Sequence, residues 1–272
     1  MNAPALLLDT DKHTAQRIVW MRFWTPSLFS FRISRAAGYA FVPGQFARLG
    51  VPRREDEMVW RAYSICSGPA EDTLEFFSVV VPDGHFSSRL ARYQVGDTVL
   101  VERKAQGFLT ADRFYRGEGP KDLWLLCTGT GLGPYLSILK DPETWQRFET
   151  IVVVHSVRQA AELAYADQLR AWCGTPPLAG ARARLRYVAT VTREPPPAAS
   201  ALHPVLQGRI TTLIESGALA AAADLPLSDA RSRFMLCGNP QMVDDTRQLL
   251  KAHGFRNDRK LEAGHIAVEN YW

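Results

Sequence analysis

The sequence predicts a two-domain α+β chain, an N-terminal antiparallel β-barrel followed by an α/β domain on a Rossmann-like parallel sheet. Three observations predict it. The length of 272 residues is two domains' worth at roughly 150 residues each. Hydrophobic residues make up 46% and charged residues 22%, so both halves can bury a core. The hydrophobic pattern also changes character partway along. Short apolar runs between Pro and Gly turns give way, near residue 122, to buried runs alternating with helical stretches.

The first half reads as six strands: RIVWMRF, LFSFRIS, QFARLGV, MVWRAYSIC, TLEFFSVVV and TVLVERK. Between them lie Thr25-Pro26, Pro43-Gly44, Pro52, Gly68-Pro69, Pro82-Asp83-Gly84 and Gly96-Asp97. Short strands at this spacing belong to an antiparallel barrel or sandwich. One short helix is expected at Ser87 to Tyr93. In the second half, DLWLLC is a buried strand, followed by a Gly turn and a helix over Pro134–Lys140. TIVVVHSV, the helical QAAELAYADQLRAW, RLRYVATV, the helical ITTLIESGALAAAA, RFMLCG and the helical QMVDDTRQLLKAHG continue the alternation. That order builds a parallel sheet covered on both faces. The domains divide at 14–116 and 117–272, in the polar stretch Asp112–Lys121, and PPPAAS at 195–200 is a Pro-rich surface loop. Ligands belong outside the carboxyl ends of the parallel strands, facing the barrel.

Composition excludes several classes. The net charge is only +4, with 15 basic against 12 acidic residues through Arg116 and 17 against 16 after it, so no basic patch calls for nucleic acid. Cys66, Cys127, Cys173 and Cys237 stand alone; no spacing matches zinc or a plant-type iron–sulfur cluster, and a disulfide framework is not expected. The start MNAPALLLDTDKH lacks a basic residue before its apolar run, and no run approaches the roughly 20 residues of a membrane span. A soluble, cytoplasmic protein is expected. The six histidines show no paired metal spacing, so no metal is expected, and no G-x-S-x-G elbow points to a hydrolase.

Five stretches carry chemistry. In Arg61-Ala62-Tyr63-Ser64, strand alternation puts Arg61 and Tyr63 on one face. A guanidinium fork suits a diphosphate and a phenol suits a flat ring system; an ordinary barrel strand with one exposed Arg is the competing reading. In Pro82-Asp83-Gly84-His85-Phe86-Ser87-Ser88, a turn enters a helix capped by Ser87 or Ser88, an anion site or simply a capped helix. Two candidate diphosphate elements in one domain favour a dinucleotide such as FAD across both. Cys127-Thr128-Gly129-Thr130-Gly131-Leu132-Gly133-Pro134 is a Gly-rich turn between strand and helix, suited to a pyrophosphate, although Pro134 breaks the G-x-G-x-x-G fingerprint. The following strand ends in Val157-Arg158 where NAD enzymes carry an acid, which favours the 2′-phosphate of NADP; Arg193 and Arg209, after the next strand ends, are candidates to join it. In Cys237-Gly238-Asn239-Pro240, the thiol is either beside a nicotinamide or a small buried hydrophobe. Last, Glu269-Asn270-Tyr271-Trp272 brings two large rings that either stack on a flavin or pack onto the barrel.

Taken in order, RAYS, PDGHFSSRL, CTGTGLGP and CGNPQM, with the tail VENYW, resemble the ferredoxin–NADP⁺ reductase superfamily, and most of all its bacterial ferredoxin/flavodoxin reductases ending in Tyr-Trp. The resemblance spans about residues 14–272. It implies an FAD-binding barrel and an NADP(H)-binding α/β domain whose aromatic tail returns to the flavin. Arg61, with Ala62 beside it, would bind the FAD phosphates. Tyr63 would stack on the isoalloxazine, and Ser64 would lie near flavin N5. Ser78 and the strand around it, with His85, Phe86 and Ser87, would line the rest of FAD, and Thr130 would sit between the two cofactors. Val157, Arg158, Arg193 and Arg209 would surround the 2′-phosphate of NADP(H). Tyr271 and Trp272 would cover the flavin, with Glu269 near the site of hydride transfer; Tyr63, Ser64, Glu269 and Tyr271 form the implied catalytic group. The implied reaction takes hydride from NADPH to flavin N5 and passes single electrons onward. The implied partner is a ferredoxin or flavodoxin, met by a monomer; Arg48, Arg53 and Arg54 are either candidate steering charges or equally a solvated loop. Two alternatives stay open: a reductase component dedicated to one oxygenase or haem partner, and a non-catalytic flavin relay subunit, which would need no 2′-phosphate site.

Overall fold

The computed structural model describes residues 8–54, 57–115, 122–196, 205–259 and 262–270. The domain boundary at 116/117, most of the Pro-rich stretch 195–200, and the aromatic pair Tyr271 and Trp272 lie outside them.

Six antiparallel strands form the first sheet: β1 (His13–Thr25), β2 (Leu28–Ser34), β3 (Phe46–Arg54), β4 (Glu57–Ser64), β5 (Thr73–Val79) and β6 (Thr98–Glu102). Their spatial order is β4-β3-β6-β1-β2-β5. Pro26 and Ser27 make the β1–β2 turn, where Thr25 Oγ1 accepts the Leu28 N–H at 3.1 Å. The two edges meet. Ile65 bridges Phe76 and the Cys66 N–H donates to the Glu75 carbonyl at 2.8 Å, so the sheet curls into a barrel. Alternation sends Phe29, Phe31, Ile33, Leu49, Val51, Phe76, Val99 and Val101 to its core.

The second sheet holds β7 (Asp122–Thr128), β8 (Thr150–Val157), β9 (Arg184–Val191), β10 (Val205–Gln207), β11 (Ser232–Gly238) and β12 (Ile266–Asn270). All adjacent pairs are parallel, in the order β10-β9-β8-β7-β11-β12. The chain winds outward from β7 to β10, then returns to place β11 on the other side of β7. This reversal opens a crevice at the carboxyl ends of β7 and β11. On β7, Leu123, Leu125 and Cys127 face α2 (Gly133–Ile138), α3 (Pro142–Arg147) and α4 (Ala166–Gly174). Trp124 and Leu126 face α5 (Ile210–Glu215), α6 (Ala218–Ala223) and α7 (Pro240–Ala252). Among the described residues, no helix is long and apolar enough to cross a membrane.

Backbone chemistry altered several expected elements. The helix expected at Ser87 to Tyr93 is a single turn, α1 (Ser87–Leu90). Neither serine caps it: Phe86 is the N-cap, Ser87 Oγ instead accepts the Val81 N–H at 2.9 Å, and Ser88 Oγ donates to the Gly84 carbonyl. The long helix expected over QAAELAYADQLRAW is broken at Tyr165, whose φ is +61°, leaving a 3₁₀ turn (Ala160–Glu162) and α4. Gly217, at φ +74°, divides ITTLIESGALAAAA into α5 and α6. The α3 helix was not expected, though its signal is present: Asp141 caps the Glu143 and Thr144 N–H groups before Pro142. Residues 266–270, read as part of a tail, are β12, paired with β11 from Phe234–Ile266 to Gly238–Asn270.

The two domains share a core. Leu28, Cys66 and Phe77 from the barrel, and Leu109, Ala111 and Phe114 from the connection, pack with Tyr135, Leu136, Ile138 and Tyr165 of the α/β half. Tyr165 reaches across this junction. Its ring lies 4.7 Å from Trp24 and 5.3 Å from Phe77. Its hydroxyl stands 2.7 Å from Glu75 Oε1 and 2.5 Å from Ser30 Oγ. Glu75 is 2% exposed, and Arg32 Nε donates to its other oxygen at 2.9 Å. A Tyr165→Phe substitution keeps the ring but leaves this buried carboxylate short of a donor. Equilibrium urea unfolding is expected to show a loss of about 1–3 kcal/mol.

Candidate functional site

The barrel and the sheet enclose a cavity of about 420 Å³, a size ordinary for small-molecule clefts. Its barrel wall is Arg61, Ala62, Tyr63 and Ser64 at the end of β4, Phe77, Ser78 and Val79 of β5, and Val81 with Gly84 to Ser87 on the turn into α1. Its sheet wall is Thr130, Gly131 and Gly238. The barrel residues assigned to FAD, Arg61 to Ser64, Ser78 and His85 to Ser87, therefore meet Thr130 of the glycine turn around one space, while Ser88 lies outside the lining.

The wall is shaped by side-chain packing. Tyr63 lies 5.4 Å from Phe86 at 33°, with Phe31 and Phe76 edge-on behind it. Its hydroxyl is 3.0 Å from Ser78 Oγ. Burial pushes the phenol up to about 12, despite the Ser78 hydrogen bond and the Arg61 charge, so it stays protonated near neutral pH. Arg61 is exposed, with one guanidinium nitrogen bonded to the Trp60 carbonyl at 2.8 Å. Ala62 and Ser64 line the space alongside Arg61 and Tyr63, so strict alternation does not describe the end of β4.

Close approach at the crevice depends on glycine. A Cβ on Gly131 would stand 2.5 Å from the Cys237 carbonyl oxygen. Gly238 has φ +129°, and a Cβ there would strike Thr128 Oγ1 and its carbonyl. That same Oγ1 accepts the Asn239 N–H at 2.8 Å. Phe77, Val79 and Val81, from the strand around Ser78 that is expected to line FAD, and Gly84 and Gly131, from turns the motifs marked, also line the cavity. Gly238 is the addition; its signal is its place in the strand-to-helix turn Cys237-Gly238-Asn239-Pro240.

Val157 ends β8, Arg158 follows it, Arg193 follows β9 and Arg209 follows β10. These three strands are neighbours, so the arginines share one end of the sheet. The Arg193 N–H donates to the Arg158 carbonyl at 2.9 Å. All three side chains are exposed, with no carboxylate at ion-pair distance among the described residues. They stand apart from the cavity lining. Arg48, by contrast, pairs with Glu102 at 2.9 Å, and Arg53 and Arg54 both face Glu57 at 2.9 and 4.0 Å; as steering charges they are largely offset.

Glu269 lies on β12 opposite Cys237. Its Oε1 accepts the Phe108 N–H at 3.3 Å, so it points to the Gly107–Phe108 loop, and it is not among the cavity-lining residues. Cys237 is fully buried in the shared core, and burial raises its thiol well above the usual range. It behaves as a small hydrophobe; an exposed thiol beside a ring is not what the fold provides. No group of three or more His, Cys, Asp or Glu positioned to hold a metal occurs among the described residues.

A barrel and a parallel sheet meeting at a topological switch point define a class: two-domain oxidoreductases that bring two nucleotide cofactors together. Residues 24–105 match the family model "Oxidoreductase FAD-binding domain" and residues 125–248 match "Oxidoreductase NAD-binding domain". The chain is 42% identical to "Ferredoxin--NADP reductase A" of Sorangium cellulosum over 94% of its length and 89% of that protein. It is 39% identical to "Flavodoxin/ferredoxin--NADP reductase" of Escherichia coli over 94% and 97%. A ferredoxin NADP⁺ reductase from Neisseria gonorrhoeae, solved with bound FAD and NADP, superposes with a TM-score of 0.87 at 39% identity, covering 97% of this chain and 100% of that one. This chain belongs to the ferredoxin–NADP reductase family.

His155 gives the site a pH signature. It is fully buried at the end of β8, and burial lowers it from 6.5 to about 4. The unfolded chain therefore takes up a proton that the folded one refuses as pH falls from about 6.5 to about 4, and stability drops across that window by about 3 kcal/mol. Urea midpoints measured from pH 7 to 4 should show this loss, and His155→Gln should flatten that part of the slope.

Proposed function

We propose that the protein is an FAD-dependent reductase that exchanges electrons between NADP(H) and a ferredoxin or flavodoxin. The observation that carries the reading is the single cavity walled by Arg61, Tyr63 and Ser64 on one side and Thr130 and Gly131 on the other.

The donor set fits FAD. A guanidinium (Arg61), an aromatic face (Tyr63), hydroxyls on Ser64, Ser78 and Ser87, and a Gly-containing turn at Gly84 line one wall. Bound there, FAD supplies the interconversion of a two-electron hydride donor and one-electron carriers. The chain's own contribution is placement. Arg61 holds the diphosphate, Tyr63 presents a neutral ring, and the Phe77 and Phe86 rings exclude water from the inner wall. Ser64 offers a hydroxyl at the sheet-facing end. Glu269, beside the Phe108 loop, and Tyr271 and Trp272 complete that end in this reading. Proximity supplies most of the rate, so no strong acid or base is needed.

Arg158, Arg193 and Arg209 hold the 2′-phosphate, Val157 supports the adenosine, and the choice of NADP(H) over NAD(H) follows from three exposed guanidinium groups with no carboxylate partner among the described residues. Both walls come from one chain, so a monomer suffices. The four cysteines are free, which fits a reducing cytoplasm.

The test is purification followed by turnover. The protein should be yellow with about one FAD per chain, and should reduce ferricyanide faster with NADPH than with NADH. It should also pass electrons to the host's ferredoxin or flavodoxin. A colourless protein that takes up no FAD removes the proposal. In the double variant Arg158→Ala/Arg193→Ala, the KM for NADPH should rise on the order of 100-fold, from two charge-assisted contacts of about 1.5 kcal/mol each. The KM for NADH should move less than about threefold, as judged by steady-state kinetics with ferricyanide.

A further inference from the structure

His155 has no part in the reading above, yet it lies directly beneath the glycine turn. It is 0% exposed, on the β8 face turned to α2. Its Nε2 stands 3.1 Å from the Gly129 carbonyl oxygen, and its Nδ1 is buried without a hydrogen-bond partner among the described residues. A carbonyl oxygen only accepts, so Nε2 carries the proton and Nδ1 the lone pair. Burial keeps the ring neutral.

A histidine is a poor choice for packing here. An apolar side chain of similar size would fill the space without leaving a buried nitrogen unpaired, a defect that native structures rarely carry without a reason. The reason lies with the other nitrogen. Gly129 has φ +53°, and a Cβ on it would meet nothing within 4 Å, so glycine is present for its left-handed backbone conformation rather than for space. The His155 bond fixes that conformation. The peptide joining Gly129 to Thr130 is planar and trans, so its C=O and N–H point in opposite directions. Anchoring the carbonyl against β8 aims the Thr130 N–H the other way, and Thr130 lines the cavity.

We infer that His155 is a positioning residue: its Nε2–H holds the Gly129 carbonyl and so presents the Thr130 N–H to the nucleotides in the cleft. The inference rests on the two-nucleotide reading of that cavity.

The experiment compares wild type, His155→Leu, His155→Phe and His155→Gln. The first two remove the donor; the third keeps an N–H at a similar reach. The readouts are the dissociation constants of FAD from the apoprotein and of NADP⁺ from the FAD-loaded protein, together with the melting temperature of the apoprotein. The donorless variants should weaken one or both dissociation constants on the order of 10-fold, the effect of about 1.4 kcal/mol. Their melting temperatures should change little, because the unpaired nitrogen is gone while the Gly129 carbonyl loses its donor. The Gln variant should recover binding to within about threefold of wild type. Binding within twofold of wild type in the donorless variants overturns the inference. So does a loss of binding that follows a falling melting temperature, or that Gln does not rescue, or failure of both donorless variants to fold. Wild type that binds neither nucleotide overturns the functional reading and this inference together; wild type that binds both separates the two.

Discussion

The barrel and the sheet are held in one arrangement by a core that belongs to neither alone. Leu28, Cys66 and Phe77 of the barrel pack against α2 and the β7 face, and Tyr165 crosses the junction to the buried Glu75 carboxylate. Phe77 makes the dependence concrete. One side of its ring meets Tyr165 edge-on, and the residue also lines the cavity. The wall of the site is thus supported from behind by the other domain. The backbone at Tyr165 is left-handed, a conformation that is unfavourable for a tyrosine and persists where packing over-determines it.

Polar ties at the periphery act in the same direction. Ser137 Oγ donates to the Ser67 carbonyl at 2.7 Å, Lys140 pairs with Glu71 at 2.8 Å, and Arg113 pairs with Asp258 at 2.7 Å. Gly131 lets the turn after β7 lie against the Cys237 backbone, and Gly238 lets the end of β11 lie against Thr128, with no Cβ atoms between them. Positioning is therefore a property of backbone and core, which suits a reaction whose chemistry belongs to its cofactor.

Much of this was legible in the sequence. The change from turn-punctuated strands to continuous apolar runs marked the two halves, and the barrel motifs and Thr130 did come together around one cavity. What failed was local. Tyr165 ended a helix that periodicity would have continued, because a tertiary contact outweighed propensity. Ser87 and Ser88 looked like caps, but their hydroxyls bond backward within the turn. Phe77 and Val79 were reached only as neighbours of Ser78 on its strand, since an apolar strand residue against a ligand and one against a core have the same side chain. Cys237 had the residue type for chemistry but a depth that denies it. His155 was set aside with the other histidines for want of metal spacing; only its two unequal nitrogens in the folded chain single it out.

The central claim is that the shared core makes the two halves one cooperative unit, which fixes the cleft between them. Hydrogen exchange followed by mass spectrometry across a urea series measures this directly. Peptides covering β2 and β5 should lose protection at the same urea concentration as peptides covering β7 and β8, with or without added FAD. Barrel peptides that open well before the sheet, while the sheet stays protected, would contradict it.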